Sequence, residues 1–98
     1  MKITKDKNNE TLTLAIEGRL ETTSAPELEE VINSNLSGIK ELILDLSGLE
    51  YISSAGLRVI LSAQKIMKAQ GQMTLKGVNE VIKDVFDITG FSEFLTIV

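Results

Sequence analysis

The sequence predicts an α/β fold, a mixed sheet of four or five strands with helices mainly on one face. Three observations carry this reading. Thr11–Ile16 and Gln72–Lys76 alternate apolar and polar residues, the two-residue period of strands buried on one side. Three other stretches repeat apolar residues at three- and four-residue spacing, the mark of amphipathic helices. Strands and helices then alternate along most of the chain, which implies parallel pairing through right-handed crossovers. The 98 residues, 43% of them hydrophobic, suit a single domain spanning 1–98 with one core.

Met1 to Lys5 reads as a weak strand with Ile3 as its interior apolar residue, followed by a turn at Asp6-Lys7-Asn8-Asn9. In Thr11–Ile16, Leu12, Leu14 and Ile16 share one face, so this segment is the hairpin partner of the first. Gly18 to Thr23 is a loop. Ser24-Ala25-Pro26-Glu27 opens a helix: Ser24 and Glu27 have capping-box spacing, and Pro26 suits a first turn, where its missing N–H costs nothing. Leu28, Val31, Ile32 and Leu36 form its apolar stripe, Glu27, Glu29 and Glu30 a solvated acidic end that complements the helix dipole, and Gly38 closes the unit.

Leu42-Ile43-Leu44 marks a buried strand over Glu41–Leu46, and Asp45, Ser47 and Gly48 are turn residues. The second helix spans Ser54–Gln70, with a serine at its start placed to cap it and Gly71 as its C-cap. Gln72–Lys76 is a strand with Met73 and Leu75 on one face. Asn79 caps a third helix carrying Val81, Ile82, Val85 and Phe86, Gly90 stops it, and Leu95–Val98 adds a last strand.

Several function classes drop out on composition. The chain has neither cysteine nor histidine, which removes disulfides, thiolate chemistry, Ser-His-Asp catalysis and the usual Cys/His zinc sites, so no metal or cofactor is expected. A formal charge of −4 with scattered basic residues argues against a nucleic-acid surface. No apolar run approaches the roughly 20 residues that span a bilayer, and Met1–Lys5 lacks the apolar core of a signal peptide, so the expected location is cytoplasmic and away from the membrane. A Ser54–Lys65 catalytic pair fails on distance: eleven helical residues are about 16 Å of rise. The chain is therefore expected not to be an enzyme.

The segment Tyr51-Ile52-Ser53-Ser54-Ala55-Gly56-Leu57, after the Asp45-x-Ser47 turn, resembles the signature of STAS domains, in particular of the small bacterial anti-sigma factor antagonists. Gly18-Arg19-Leu20-Glu21-Thr22-Thr23 is similar to the family's Gly-x-Leu-Asp loop with Glu21 for Asp. Phe86-Asp87-Ile88-Thr89-Gly90-Phe91 is similar to its Phe-x-x-x-Gly-Leu pattern. Ser53 stands where many members have Asp, and Ala55 where they have Ser or Thr. The resemblance implies the STAS fold and a phosphoprotein that regulates transcription by partner switching. Unphosphorylated, it would bind an anti-sigma factor serine kinase and free a sigma factor. Phosphorylation of Ser54, aligned on Gly56, would end the complex (Ser53 is the second candidate), and a PP2C-type phosphatase would reset it. The protein itself would be a monomer. The alternative is a constitutive STAS interaction module, such as a partner of a lipid-transport ABC ATPase or a stress-complex scaffold.

Sites in open α/β sheets lie outside the carboxyl ends of the strands. If the strands before Gly18–Thr23 and Ser47–Ser53 are neighbours, Glu21, Thr22, Thr23, Asp45, Ser53 and Ser54 converge there. Read from the residues alone, Asp45 and Ser47 make turn bonds and the serines cap a helix; the resemblance makes the same cluster a partner-binding site. At 100° per residue, Val59, Ile60, Ala63, Ile66 and Met67 share the core arc of the second helix. Leu57 and Leu61 fall outside it beside Arg58, Lys65, Lys68 and Ser54. This yields a candidate docking patch of Gly56, Leu57, Arg58 and Leu61 around the serine, or equally two leucines packed under neighbouring loops.

Overall fold

A computed structural model describes residues 1–98. In chain order the elements are β1 (Lys2–Asn8), β2 (Thr11–Leu20), α1 (Ala25–Asn35), β3 (Glu41–Ile52), α2 (Ser54–Gln70), β4 (Gln72–Lys76) and α3 (Glu80–Thr89), followed by a 3₁₀ turn at Phe91–Glu93. The strands form one sheet in the order β1-β2-β3-β4; β1 pairs antiparallel with β2, and the other two pairs are parallel. This is the mixed four-stranded sheet expected. Leu95–Val98 contributes a single parallel bridge, Leu75 to Ile97, not a full fifth strand.

Leu12, Leu14, Ile16 and Leu20 of β2, Leu42, Leu44 and Leu46 of β3, and Met73 and Leu75 of β4 are all buried. They join Leu28 and Ile32 of α1, Ile60, Ala63 and Met67 of α2, and Ile82 and Phe86 of α3 in one cluster of 24 buried residues. No charged or polar residue is buried in it. Burial of apolar area at about 25 cal/mol per Å² is the main force holding the helices to the sheet.

Three strands run further than the periodicity predicts: β1 reaches Asn8, β2 reaches Leu20 and β3 reaches Ile52. The reason in β3 is bulging. Ala15 pairs with Asp45 but Glu17 with Gly48, and Gly18 pairs with Leu49 but Arg19 with Tyr51. At each place β3 carries one residue more than β2. An extra residue resets which face the following side chains occupy, so the buried positions step by three, Leu46 to Leu49 to Ile52. A strict two-residue period breaks there, and the turn-forming Asp45, Ser47 and Gly48 lie within the strand.

The helix ends are chemically distinct. Asn79 caps α3 as expected, its side chain accepting from the Ile82 N–H at 2.9 Å, and Gly90 closes the helix in the left-handed region. Ser24 does not cap α1. Its hydroxyl accepts from the Glu21 N–H at 2.9 Å and donates to the Arg19 carbonyl at 3.0 Å, because the tight turn out of β2 reaches it first. Gly71 ends α2 in extended backbone, and its requirement is space: a Cβ there would sit 1.9 Å from the Lys40 carbonyl oxygen.

Candidate functional site

The carboxyl ends of β2 and β3 lie side by side, Leu20 paired with Ile52. Beyond them the Ser53 N–H donates to the Leu20 carbonyl at 2.8 Å, which fastens the start of α2 to the end of β2. The turn Glu21–Ser24 is closed locally by the Ser24 hydroxyl. Together these bonds bring Glu21, Thr22, Thr23, Tyr51 and Ser53 around one shallow hollow. The expected convergence is present for Glu21, Thr22, Thr23 and Ser53; Ser54, the next residue, does not line the hollow.

The two serines divide the work at the helix start. Ser53 is the N-cap: its backbone is extended, and its hydroxyl accepts from the Gly56 N–H at 3.1 Å. Ser54 is the first residue inside the helix, exposed, with no hydrogen bond on its hydroxyl within the chain. The cap assigned to a serine here thus falls on Ser53, because only the residue just outside the helix presents its oxygen to the free N–H groups. The first turn of α2 contains no acidic residue, so its dipole is uncompensated by side-chain charge.

Several expectations change. Asp45 does not join the cluster. It lies eight residues before Ser53 on the continuing strand, roughly 25 Å at about 3.3 Å per residue. There it accepts from the Ser47 N–H at 3.0 Å and the Ser47 hydroxyl at 2.7 Å. These bonds, the hydroxyl first, and the nearby Lys76 charge hold its carboxyl below the usual 3.8 against the opposing effect of burial. Asp45 braces the first bulge.

Leu57 is not part of a surface patch: it is 6% exposed and belongs to the core. α2 packs on β3, β4 and α1, and Leu57 lies on the flank shared with Gln64 and Leu61, which faces Met73 of β4 and Phe94 of the C-terminal segment. Ile66, placed in the core arc, is instead 37% exposed at its rim. Gly56 is buried, and a Cβ on it would meet Leu20 Cγ at 2.6 Å, so its part is to let α2 approach β2 closely. Leu61 is half-buried, lining a groove with Met73 and Phe94 between α2 and the C-terminal segment. Arg58 is exposed, as expected.

Arg19 and Tyr51 form a pair across the end of the sheet. The Arg19 guanidinium lies 4.3 Å over the Tyr51 ring and is 3.3 Å from the Glu21 carboxylate. Their only sequence signal is the register of β2 against β3, which the second bulge sets. Cation–π contact at such a surface is worth about 0.5–1 kcal/mol; the half-exposed ion pair adds less. The effect is to hold an aromatic ring, 41% exposed, beside the serines.

The site contains hydroxyls, one carboxylate and a ring, with no cluster of metal-binding side chains. No helix is long and apolar enough to cross a membrane. Thr22, Thr23 and Ser54 each present an exposed hydroxyl with no hydrogen bond within the chain.

Comparison with known proteins adds to this geometry. A family model described as the STAS domain matches residues 2–98. BtrV of Bordetella bronchiseptica, assigned as an anti-sigma factor antagonist, is 37% identical over 93% of this chain and 80% of its own. The anti-sigma-B factor antagonist of Bacillus subtilis is 29% identical over 93% of this chain and 84% of its own. Among solved structures, the Bacillus protein SpoIIAA superposes in its unphosphorylated and phosphorylated forms with TM-scores of 0.79 and 0.78. The identities are 15% and 16%, each over 99% of this chain and over 87% and 91% of the other, a likeness of fold.

Proposed function

From the premise that this chain belongs to the STAS domain family, we propose that it is an anti-sigma factor antagonist, a protein-binding switch thrown by phosphorylation of Ser54. Unphosphorylated, it binds an anti-sigma factor serine kinase and so frees a sigma factor. The kinase transfers phosphate to the Ser54 hydroxyl, the complex separates, and a PP2C-type phosphatase restores the hydroxyl. The chain is substrate and antagonist, not catalyst.

The names of BtrV and the Bacillus subtilis relative support the regulatory role. The observation that carries the choice of residue is the division between the serines. Ser53 spends its oxygen on the Gly56 N–H, whereas the hydroxyl of Ser54, the next residue, is exposed and unbonded. A kinase reaches Ser54 without breaking the cap. Asp and Ser cap about equally well, so Ser53 in the usual Asp position preserves the helix start while leaving it neutral. Phosphate adds about −1.5 to −2 charge at pH 7. A helix N-terminus tolerates that charge, so the loss appears at the interface. Glu21, Thr22 and Tyr51 frame the contact, with Arg58 and the exposed part of Leu61 extending it along α2.

The test uses the purified protein and the anti-sigma factor kinase encoded in the same genome. Calorimetric titration should give equal affinity for wild type and Ser54→Ala, and at least about tenfold weaker binding, about 1.4 kcal/mol, for Ser54→Asp. Mass spectrometry after incubation with ATP should place phosphate on Ser54. Equal affinity for all three, with no phosphate on Ser53 or Ser54, rejects the switch in favour of a constitutive module.

A further inference from the structure

We propose that Arg58 is a built-in counter-ion for phosphate on Ser54, so that modification both adds negative charge and withdraws the one cation at the head of α2. This rests on Ser54 as the phosphate acceptor. Residues 54–61 read Ser-Ala-Gly-Leu-Arg-Val-Ile-Leu, and Arg58 is the only charged residue in these first two turns. Residues four apart on a helix are neighbours, with Cβ atoms about 5–6 Å apart. Helical side chains lean toward the N-terminus, so the long arm of Arg58 lies back over the turn that begins with Ser54.

That arm is uncommitted. The ion pairs in the molecule are Arg19–Glu21 and Lys83–Asp87, and Arg58 is exposed. The next cation along α2, Lys65, is about 16 Å further along the axis from Ser54. A guanidinium matches phosphate with parallel N–H donors, which makes it the side chain suited to this contact. Glu21 and Glu50, near the same sheet end, oppose the charge and make a local counter-ion more valuable.

The consequence concerns the surface offered to a partner. Without phosphate, the first two turns of α2 carry +1 from Arg58. With it, the guanidinium is occupied and the balance is about −0.5 to −1. The sign of charge at the head of α2 inverts without any change of fold.

The test needs no kinase. The full chain is made with phosphoserine inserted at position 54 during translation, as wild type, Arg58→Lys and Arg58→Gln. Phosphorus NMR then follows the second ionisation of the phosphate with pH, in low salt and in about 0.5 M salt. Pairing favours the dianion, so at low salt the wild-type midpoint should lie a few tenths of a pH unit below that of Arg58→Gln, with Arg58→Lys between. The gap should close in high salt, where an exposed pair is screened. Melting curves of the unphosphorylated forms confirm that the variants fold alike. Coincident midpoints for wild type and Arg58→Gln at low salt overturn the proposal. Because the phosphate is installed during translation, that failure is separate from any failure of a kinase to modify Ser54.

Discussion

The division of labour between Ser53 and Ser54 makes a stability prediction that neighbouring residues of the same type ordinarily would not. Ser53→Ala removes the acceptor of the Gly56 N–H, a bond of 3.1 Å. N-cap truncations cost about 0.5–2 kcal/mol. Gly56 is buried beneath Leu20 and Ile52, so water does not readily replace the lost oxygen, and the cost belongs toward the upper half, about 1.5 kcal/mol. For a domain of this size 1 kcal/mol corresponds to about 4–8 °C in melting temperature. Ser53→Ala should therefore melt about 6–12 °C lower. Ser54→Ala removes an exposed, unbonded hydroxyl and introduces a better helix former, so it should change stability by no more than about 0.5 kcal/mol. Ser53→Asp should restore stability, since its carboxylate caps and faces the positive end of the dipole. Urea unfolding of the four proteins, with midpoints compared at constant slope, measures all of this. If Ser54→Ala costs as much as Ser53→Ala, or Ser53→Ala costs nothing, the assignment of cap and free hydroxyl is wrong.

Leu57→Ala should cost about 2–5 kcal/mol as a core truncation, and Leu61→Ala clearly less because that side chain is half-buried; urea midpoints separate them. Gly71→Ala forces a Cβ against the Lys40 carbonyl, 1.9 Å away, so it should destabilise more strongly than the ordinary overpacking cost of about 1–3 kcal/mol, checked by calorimetric melting. Asp45 has a depressed carboxyl pKa in the fold. Its contribution is present above the unfolded value near 3.9, and is lost as pH falls through its lower folded value. Acid titration of stability should thus be shallower below pH ~4 in Asp45→Asn than in wild type.

The amino-acid sequence by itself determined the strand and helix order, the three helices and most of the core, because apolar periodicity is a local property. Leu12, Leu14 and Ile16 alternate whatever they pair with, and Asn79 caps α3 through an atom three residues from its partner N–H. It also placed the serines at a helix start and brought Glu21, Thr22 and Thr23 to the same sheet end. What needed the tertiary structure was whatever depends on register or on a second packing surface. Two bulges in β3 extend the strand and leave Asp45 far from the serines; the second also brings Arg19 over Tyr51. Leu57 is taken into the core on the flank of α2 shared with Gln64 and Leu61, which faces β4 and the C-terminal segment. Which serine caps and which stays free was decided by where the chain leaves the strand: the Ser53 N–H is held by the Leu20 carbonyl. That bond ends one element and lets the next begin at Ser54.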